Sequence, residues 1–194
     1  MKKSYFIIIA FAMAGAAACS KDDDEKPDPQ EPTITVQTVT NLAADTAGTG
    51  SYTLFSLEEN KIIPNADSAS TKWDIGFRSL NVIMNGGTSG PGATSGQIID
   101  ALYDTVMVAP ADGYQVDAEG MMPIKSWYNY DFTSHLVTPL PAKVIVVKTS
   151  KGNYAKIKIY SYYKDAPENP EYTMPSRLIS FHYVLNASGT REFE

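Results

Sequence analysis

The chain has 194 residues, with 16 Lys+Arg against 22 Asp+Glu and a formal net charge of −6 at pH 7. An acidic balance without a basic stripe argues against a phosphate-backbone partner, so no nucleic acid is expected. The single cysteine, Cys19, excludes a disulfide framework.

The first segment, "MKKSYFIIIAFAMAGAAAC", places two lysines before an apolar run from Tyr5 to Met13 and small residues ending at Cys19. That order is the charged, apolar and cleavage region of a secretory signal. The apolar run is too short for a stable membrane span. A cysteine directly after "AAA" resembles the lipobox of bacterial lipoproteins, in which the cysteine is acylated and becomes the mature N-terminus. Residues 1–18 are therefore expected to be a lipoprotein signal peptide and Cys19 a lipidation site.

Residues 20–32, "SKDDDEKPDPQEP", hold six acids and three prolines. Such a segment cannot bury apolar surface, so residues 19–32 read as a lipidated cysteine and a flexible acidic tether. An acidic run just after the lipid cysteine resembles the export signal of Bacteroidetes surface lipoproteins. A solvated linker facing the periplasm is the alternative. Residues 33–194 then form one domain of sufficient length for a core, with 12 Lys+Arg against 16 Asp+Glu.

This body reads as β, being rich in Thr, Val, Ile and Tyr with regular Gly and Pro punctuation. "TITVQTV" (33–39) alternates at period two. "YTLFSLEENKII" (52–63) predicts a strand, a turn at "EEN" and a second short strand. "KWDIGFRSLNVIMN" (72–85) places Trp73, Ile75 and Phe77 on one face and continues apolar through Val82 and Ile83. The glycine-rich "NGGTSGPGATSG" (85–96) lacks the G-K-[ST] ending of a phosphate loop and reads as a mobile surface loop. "GQIIDALY" and "DTVMVAP" are undecided, the first between strand and helical turn.

The clearest unit is "AKVIVVKTSKGNYAKIKIYSYYK" (142–164), two strands about a "SKGN" turn. Its second strand places Tyr154, Lys156, Lys158, Tyr160 and Tyr162 on one face and Ala155, Ile157 and Ile159 toward the core. Lys143, Lys148, Lys151, Lys156 and Lys158 together read as a solvated sheet face. "RLISFHYVLN" (177–186) is expected to end the sheet, with "ASG" as a final turn. No segment sustains a 3.6-residue apolar period. The expected fold is all-β, an antiparallel β-sandwich or open barrel.

Catalytic signatures are missing from the sequence. There is no G-x-S-x-G elbow, no triad pattern around His135 or His182, and no H-E-x-x-H, C-x-x-C or EF-hand loop. A non-enzymatic binding protein is the expectation. Of the five methionines in the body, Met84 and Met107 lie within apolar runs and read as core filler. Met121, Met122 and Met174 sit beside Gly or Pro, where a methionine is either a ligand or a partly exposed plug. His182 alternates with Phe181 and Tyr183 and reads as a partly exposed sheet residue. His135 lies in a loop beside the aromatic segment "WYNYDF", as a ligand or a plain surface residue.

Four segments together resemble the HmuY family of Bacteroidetes haem-binding lipoproteins: "KWDIGFRSLNVIMNGGTSGPG" (72–92), "APADGYQVD" (109–117), "WYNYDFTSHLVTPLPAKVIVVKTSKGNYAKIKIYSYY" (127–163) and "LISFHYVL" (178–185). The resemblance implies an all-β fold, lipid anchoring to the outer membrane with exposure at the cell surface, and haem b as cofactor. It further implies iron acquisition by capture of haem, or a related tetrapyrrole, for a TonB-dependent outer-membrane receptor. Members that bind haem use two axial side chains, a His pair or a Met pair, on loops at one end of the sheet.

The first of these positions follows the "DGY…VD…G" stretch, which here is followed by only "MMPIKS" before Trp127. The second falls near Asp131 to His135, where His135 alone among the matching candidates offers a neutral nitrogen. His135 with Met122 or Met121 would be a chemically sensible axial pair, a recognised haem ligation, with Met174 as a third candidate if its loop reaches the same end; otherwise these residues cap one end of the β-sandwich. Tyr128, Tyr130 and Trp127 would supply stacking area. The alternative is a non-haem accessory lipoprotein that binds another nutrient or contacts a transporter.

Overall fold

A computed structural model describes residues 33–194. The expected signal peptide (1–18), Cys19 and the acidic tether (19–32) lie outside the described residues. The described chain forms strands β1 (Ile34–Ala43), β2 (Thr53–Ser56), β3 (Lys61–Ile63), β4 (Ile75–Arg78), β5 (Asn81–Met84) and β6 (Ser95–Asp100), the last resolving the undecided "GQIIDALY" as strand. After these come β7 (Tyr128–Asp131), β8 (Leu136–Pro139), β9 (Lys143–Lys148), β10 (Tyr154–Tyr163) and β11 (Ser176–Asn186). They pair antiparallel into a five-stranded sheet, β1-β11-β10-β9-β6, a four-stranded sheet, β3-β2-β4-β5, and the separate hairpin β7-β8. The all-β expectation holds.

Alternation gives each sheet an apolar face, and the main core forms where those faces meet. Phe181 of β11 sits at the junction, edge-on to Phe55 of β2 at 5.6 Å and stacked on Phe77 of β4 at 5.4 Å. Burying a side chain of this size stabilises by roughly 1.5–3 kcal/mol.

Several local expectations are corrected. The run 72–85 is broken into the β4–β5 hairpin by Ser79, whose φ of 51° turns the chain. Ile75 and Phe77 face the main core, whereas Trp73 belongs to a separate cluster with Leu54, Ile63 and Ile83. β11 does not end its sheet, because β1 pairs along its outer side from Ile34↔Asn186 to Ala43↔Leu178. Met84 is core, but Met107 is 42% exposed.

The lysine face is not simply solvated. The segment carrying Val106 and Ala109, together with Phe193, covers it, forming a second cluster with Val144, Val146, Tyr154 and Val184. Lys156 is buried beneath, its ammonium donating to the carbonyls of Tyr103 and Val106 at 3.3 and 2.8 Å. Lys158 donates to the carbonyls of Leu140, at 2.7 Å, and Pro141. A register shift between Ile159 and Ser161 breaks the alternation of β10, so Tyr162 leaves that face for the main core.

The glycine-rich loop is packed around a fully buried Asn85. The Asn85 amide donates to the carbonyls of Ser70 and Trp73, both at 2.8 Å, and its Oδ1 accepts from Gly92 N–H at 2.9 Å. A Cβ at Gly92 would stand 2.6 Å from the Asn85 carbonyl oxygen, so this close approach requires glycine.

Candidate functional site

The β7–β8 hairpin presents the histidine of the aromatic segment. Its register sets Tyr130 opposite Val137 and Asp131 opposite Leu136. Between them, Asp131 organises the turn: Oδ1 accepts from Thr133 N–H at 2.8 Å and Oδ2 from the Ser134 hydroxyl at 2.9 Å. The Thr133 backbone bond, with the Ser134 hydroxyl second, holds this carboxyl below its ordinary range. The turn closes at His135, held in the left-handed region with φ of 57°.

His135 Nδ1 lies 2.8 Å from Tyr130 Oη, and Nε2 has no hydrogen-bond partner among the described residues. The imidazole is exposed. Its ring centre stands 5.5 Å from Tyr172 and 6.2 Å from Tyr130, and Tyr130 meets Phe132 edge-on at 5.1 Å. Phe132 and Tyr172 are 83% and 71% exposed, far above what a core role would give. His135, Tyr130 and Tyr172 border an open cleft of about 210 Å³, lined also by Leu80, Tyr162 and Arg177 among others. A second cleft of about 320 Å³ is also lined by β8 and shares Val137, Tyr162 and Tyr163.

The walls are braced by buried hydroxyls. Tyr163 Oη accepts from Val137 N–H at 2.9 Å, fixing β8 to β10. Tyr162 Oη pairs with the Ser79 hydroxyl at 3.0 Å, linking the cleft to the β4–β5 turn.

The structure gathers some candidates and separates others. His135 and Tyr130 share the cleft. Tyr128, half-buried, packs against the main core and edge-on to Trp127. Trp127 is itself buried, its indole N–H donating to the Leu80 carbonyl at 3.1 Å, so it offers no stacking face to solvent. Met121 closes a tight turn with Ala118 and is 44% exposed. Met122 packs on the Leu54, Ile63, Trp73 and Ile83 cluster, a different cluster from the one beneath the cleft. Met174 packs against the main core and lies two residues beyond Tyr172 on the same loop.

Tyr172 and Arg177 are cleft residues that the sequence did not single out. The one available signal was an aromatic set within the otherwise polar, proline-rich loop "DAPENPEYTMP". Among the described residues, no group of three or more His, Cys, Asp or Glu side chains is placed to hold a metal ion, and no helix is long and apolar enough to cross a membrane.

Comparison with known proteins adds a family. A family described as HmuY protein matches residues 49–175. Two solved structures are similar in fold: the apo HmuY analog (TFO) of Tannerella forsythia and apo PinO of Porphyromonas gingivitis. The first is 17% identical with a TM-score of 0.54, and the alignment covers 82% of this chain and 98% of that one. The second is 15% identical with a TM-score of 0.52, covering 80% and 98%. No curated protein matches the sequence.

Proposed function

The chain belongs to the HmuY family, and we propose that it is a lipid-anchored binding protein that captures haem b or a related tetrapyrrole for a TonB-dependent outer-membrane receptor. The observation that carries this reading is the hydrogen-bonded His135–Tyr130 pair at the mouth of an aromatic cleft.

The donor chemistry fits the group on one side. Haem iron, when bound, offers an axial position to a neutral imidazole nitrogen. His135 has Nε2 free for that role, while a proton on Nδ1 would be donated to Tyr130 Oη, fixing the tautomer from behind. Phe132 and Tyr172 contribute exposed ring area, and half-buried Tyr130 part of its ring, for a flat apolar partner. The cleft is smaller than the roughly 300–1,000 Å³ of most ligand sites, so a large planar ligand rests against it as a wall. Met174 would be the second donor, because its loop also carries Tyr172 into the cleft. Cys19 would hold the domain to the membrane through the acidic tether, facing the cell exterior.

A second reading, a non-haem accessory lipoprotein, draws support from one observation: Met122 is engaged in a cluster of its own. Titration of the purified full chain with haemin, oxidised and reduced, separates the two. A sharp Soret band that weakens in His135→Ala supports haem capture. Both redox states are needed because a thioether prefers Fe(II). A featureless spectrum at stoichiometric haemin in both states overturns it.

A further inference from the structure

Arg177 lines the same cleft as His135, Tyr130 and Tyr172. Both Arg177 and His135 have left-handed backbones, with φ of 61° and 57°. Such conformations are unfavourable for residues with a Cβ and persist where surrounding structure enforces them. For Arg177 the enforcement is visible: its carbonyl accepts from Ala44 N–H at 2.8 Å.

The guanidinium is poorly neutralised. Nη1 donates to the Asp45 backbone carbonyl at 3.2 Å, and Arg177 forms no ion pair among the described residues. The Asp45 carboxylate is close enough to feel the Arg177 charge, but the hydrogen bonds recorded to it come from its own loop. Oδ1 accepts from Thr49 N–H and the Thr49 hydroxyl, and Oδ2 from Gly50 N–H. Arg177, half-buried and with N–H donors to spare, therefore lines a cleft walled by tyrosines. A planar guanidinium fork matches a carboxylate in bidentate fashion.

We propose that Arg177 anchors a ligand carboxylate in the His135 cleft, so that the site selects planar aromatic ligands carrying an acid group at their edge. This rests on the tetrapyrrole reading above and deepens it, by assigning recognition to the ring's acid side chains as well as to its metal. Metal-free rings then bind without help from His135, and esterified rings bind poorly.

The test is a fluorescence titration of the full chain with metal-free protoporphyrin IX and with its dimethyl ester, alongside haemin absorption. Wild type is expected to bind the diacid about tenfold or more tightly than the ester, the usual scale of a lost charge-assisted pair. Arg177→Gln is expected to abolish that preference, and Arg177→Lys, which keeps the charge but not the fork, to retain part of it. Equal binding of acid and ester by wild type overturns the inference even if the Gln variant does not fold. His135-dependent haemin binding with no acid preference defeats the Arg177 anchor alone. Acid-selective binding of the metal-free ring, with no Soret shift for haemin, supports the anchor and defeats iron ligation. Binding of neither ring overturns both.

Discussion

Tyr130 Oη and His135 Nδ1, 2.8 Å apart, form one hydrogen-bonded unit at the end of the β7–β8 hairpin. The pairing arises because the Asp131-organised turn carries His135 back over the strand residue five positions earlier. One ring nitrogen is engaged by the phenol and the other faces outward. Outer partners of this kind orient a ligating imidazole, and their loss commonly lowers metal affinity 10–100-fold. At this exposed site Tyr130→Phe is expected to weaken haemin binding about tenfold, the low end of that range. Imidazole ¹⁵N shifts of His135 in the ligand-free protein should change in the same variant. Unaltered shifts and affinity would show that Tyr130 does not position the ring.

The methionines make opposite predictions. Met174 shares its loop with cleft residue Tyr172, whereas Met122 belongs to the Trp73 cluster. Met174→Ala should therefore weaken binding of reduced haem while Met122→Ala leaves it unchanged. Met122→Ala should instead lower stability, by about 1–3 kcal/mol for a half-buried side chain. Denaturant midpoints and reduced-haem titrations on both variants check this, and the reverse pattern would place the second ligand on residues 121–122.

Asp74 governs a pH dependence. Burial, with the neighbouring Glu58 charge adding to it, raises this carboxyl from 3.8 to about 6, although Leu57 N–H donates to Oδ2 at 2.8 Å and opposes the rise. Between pH 3.8 and about 6 the folded protein holds a proton that the unfolded chain has released. Stability from this group therefore falls as pH rises through that window and levels off above it, by about 3 kcal/mol in total. Asp74→Asn, which keeps an oxygen acceptor for Leu57, should lose that component. Urea unfolding at pH 4 and pH 7 measures it, and parallel behaviour of wild type and variant would refute the assignment.

Asn85 is the knot of the glycine-rich loop. Asn85→Ala would leave the Ser70 and Trp73 carbonyls and Gly92 N–H without their partner. At about 1–3 kcal/mol per buried orphan, partly relieved by relaxation, a loss of about 2–4 kcal/mol is expected. Asn85→Asp, which keeps the acceptor but removes both donors, should also destabilise. Denaturant midpoints test both, and a change under 0.5 kcal/mol, the usual scale of surface substitutions, would mean that the loop is not held through this residue.

Much of this was written locally. Period-two alternation in 33–39 and 154–163, and the β-rich runs in 52–63 and 177–186, marked strands that the structure contains, because such patterns depend only on adjacent residues. The same alternation misled wherever a distant segment intervened. Lys156 looked solvated until the Tyr103–Val106 segment was laid over it, and Tyr162 changed face because of a bulge.

For the site, the sequence by itself determined the chemistry on offer: a loop histidine among aromatic rings, loop methionines, and the family resemblance that gave them a common purpose. Tertiary structure decided which of them meet. Tyr172 meets His135 and Arg177 lines the same cleft, while Met122 is drawn to the Trp73 cluster. Proximity between residues far apart in the chain follows from strand order, register shifts and the sites where apolar faces bury one another, none of which a local pattern encodes.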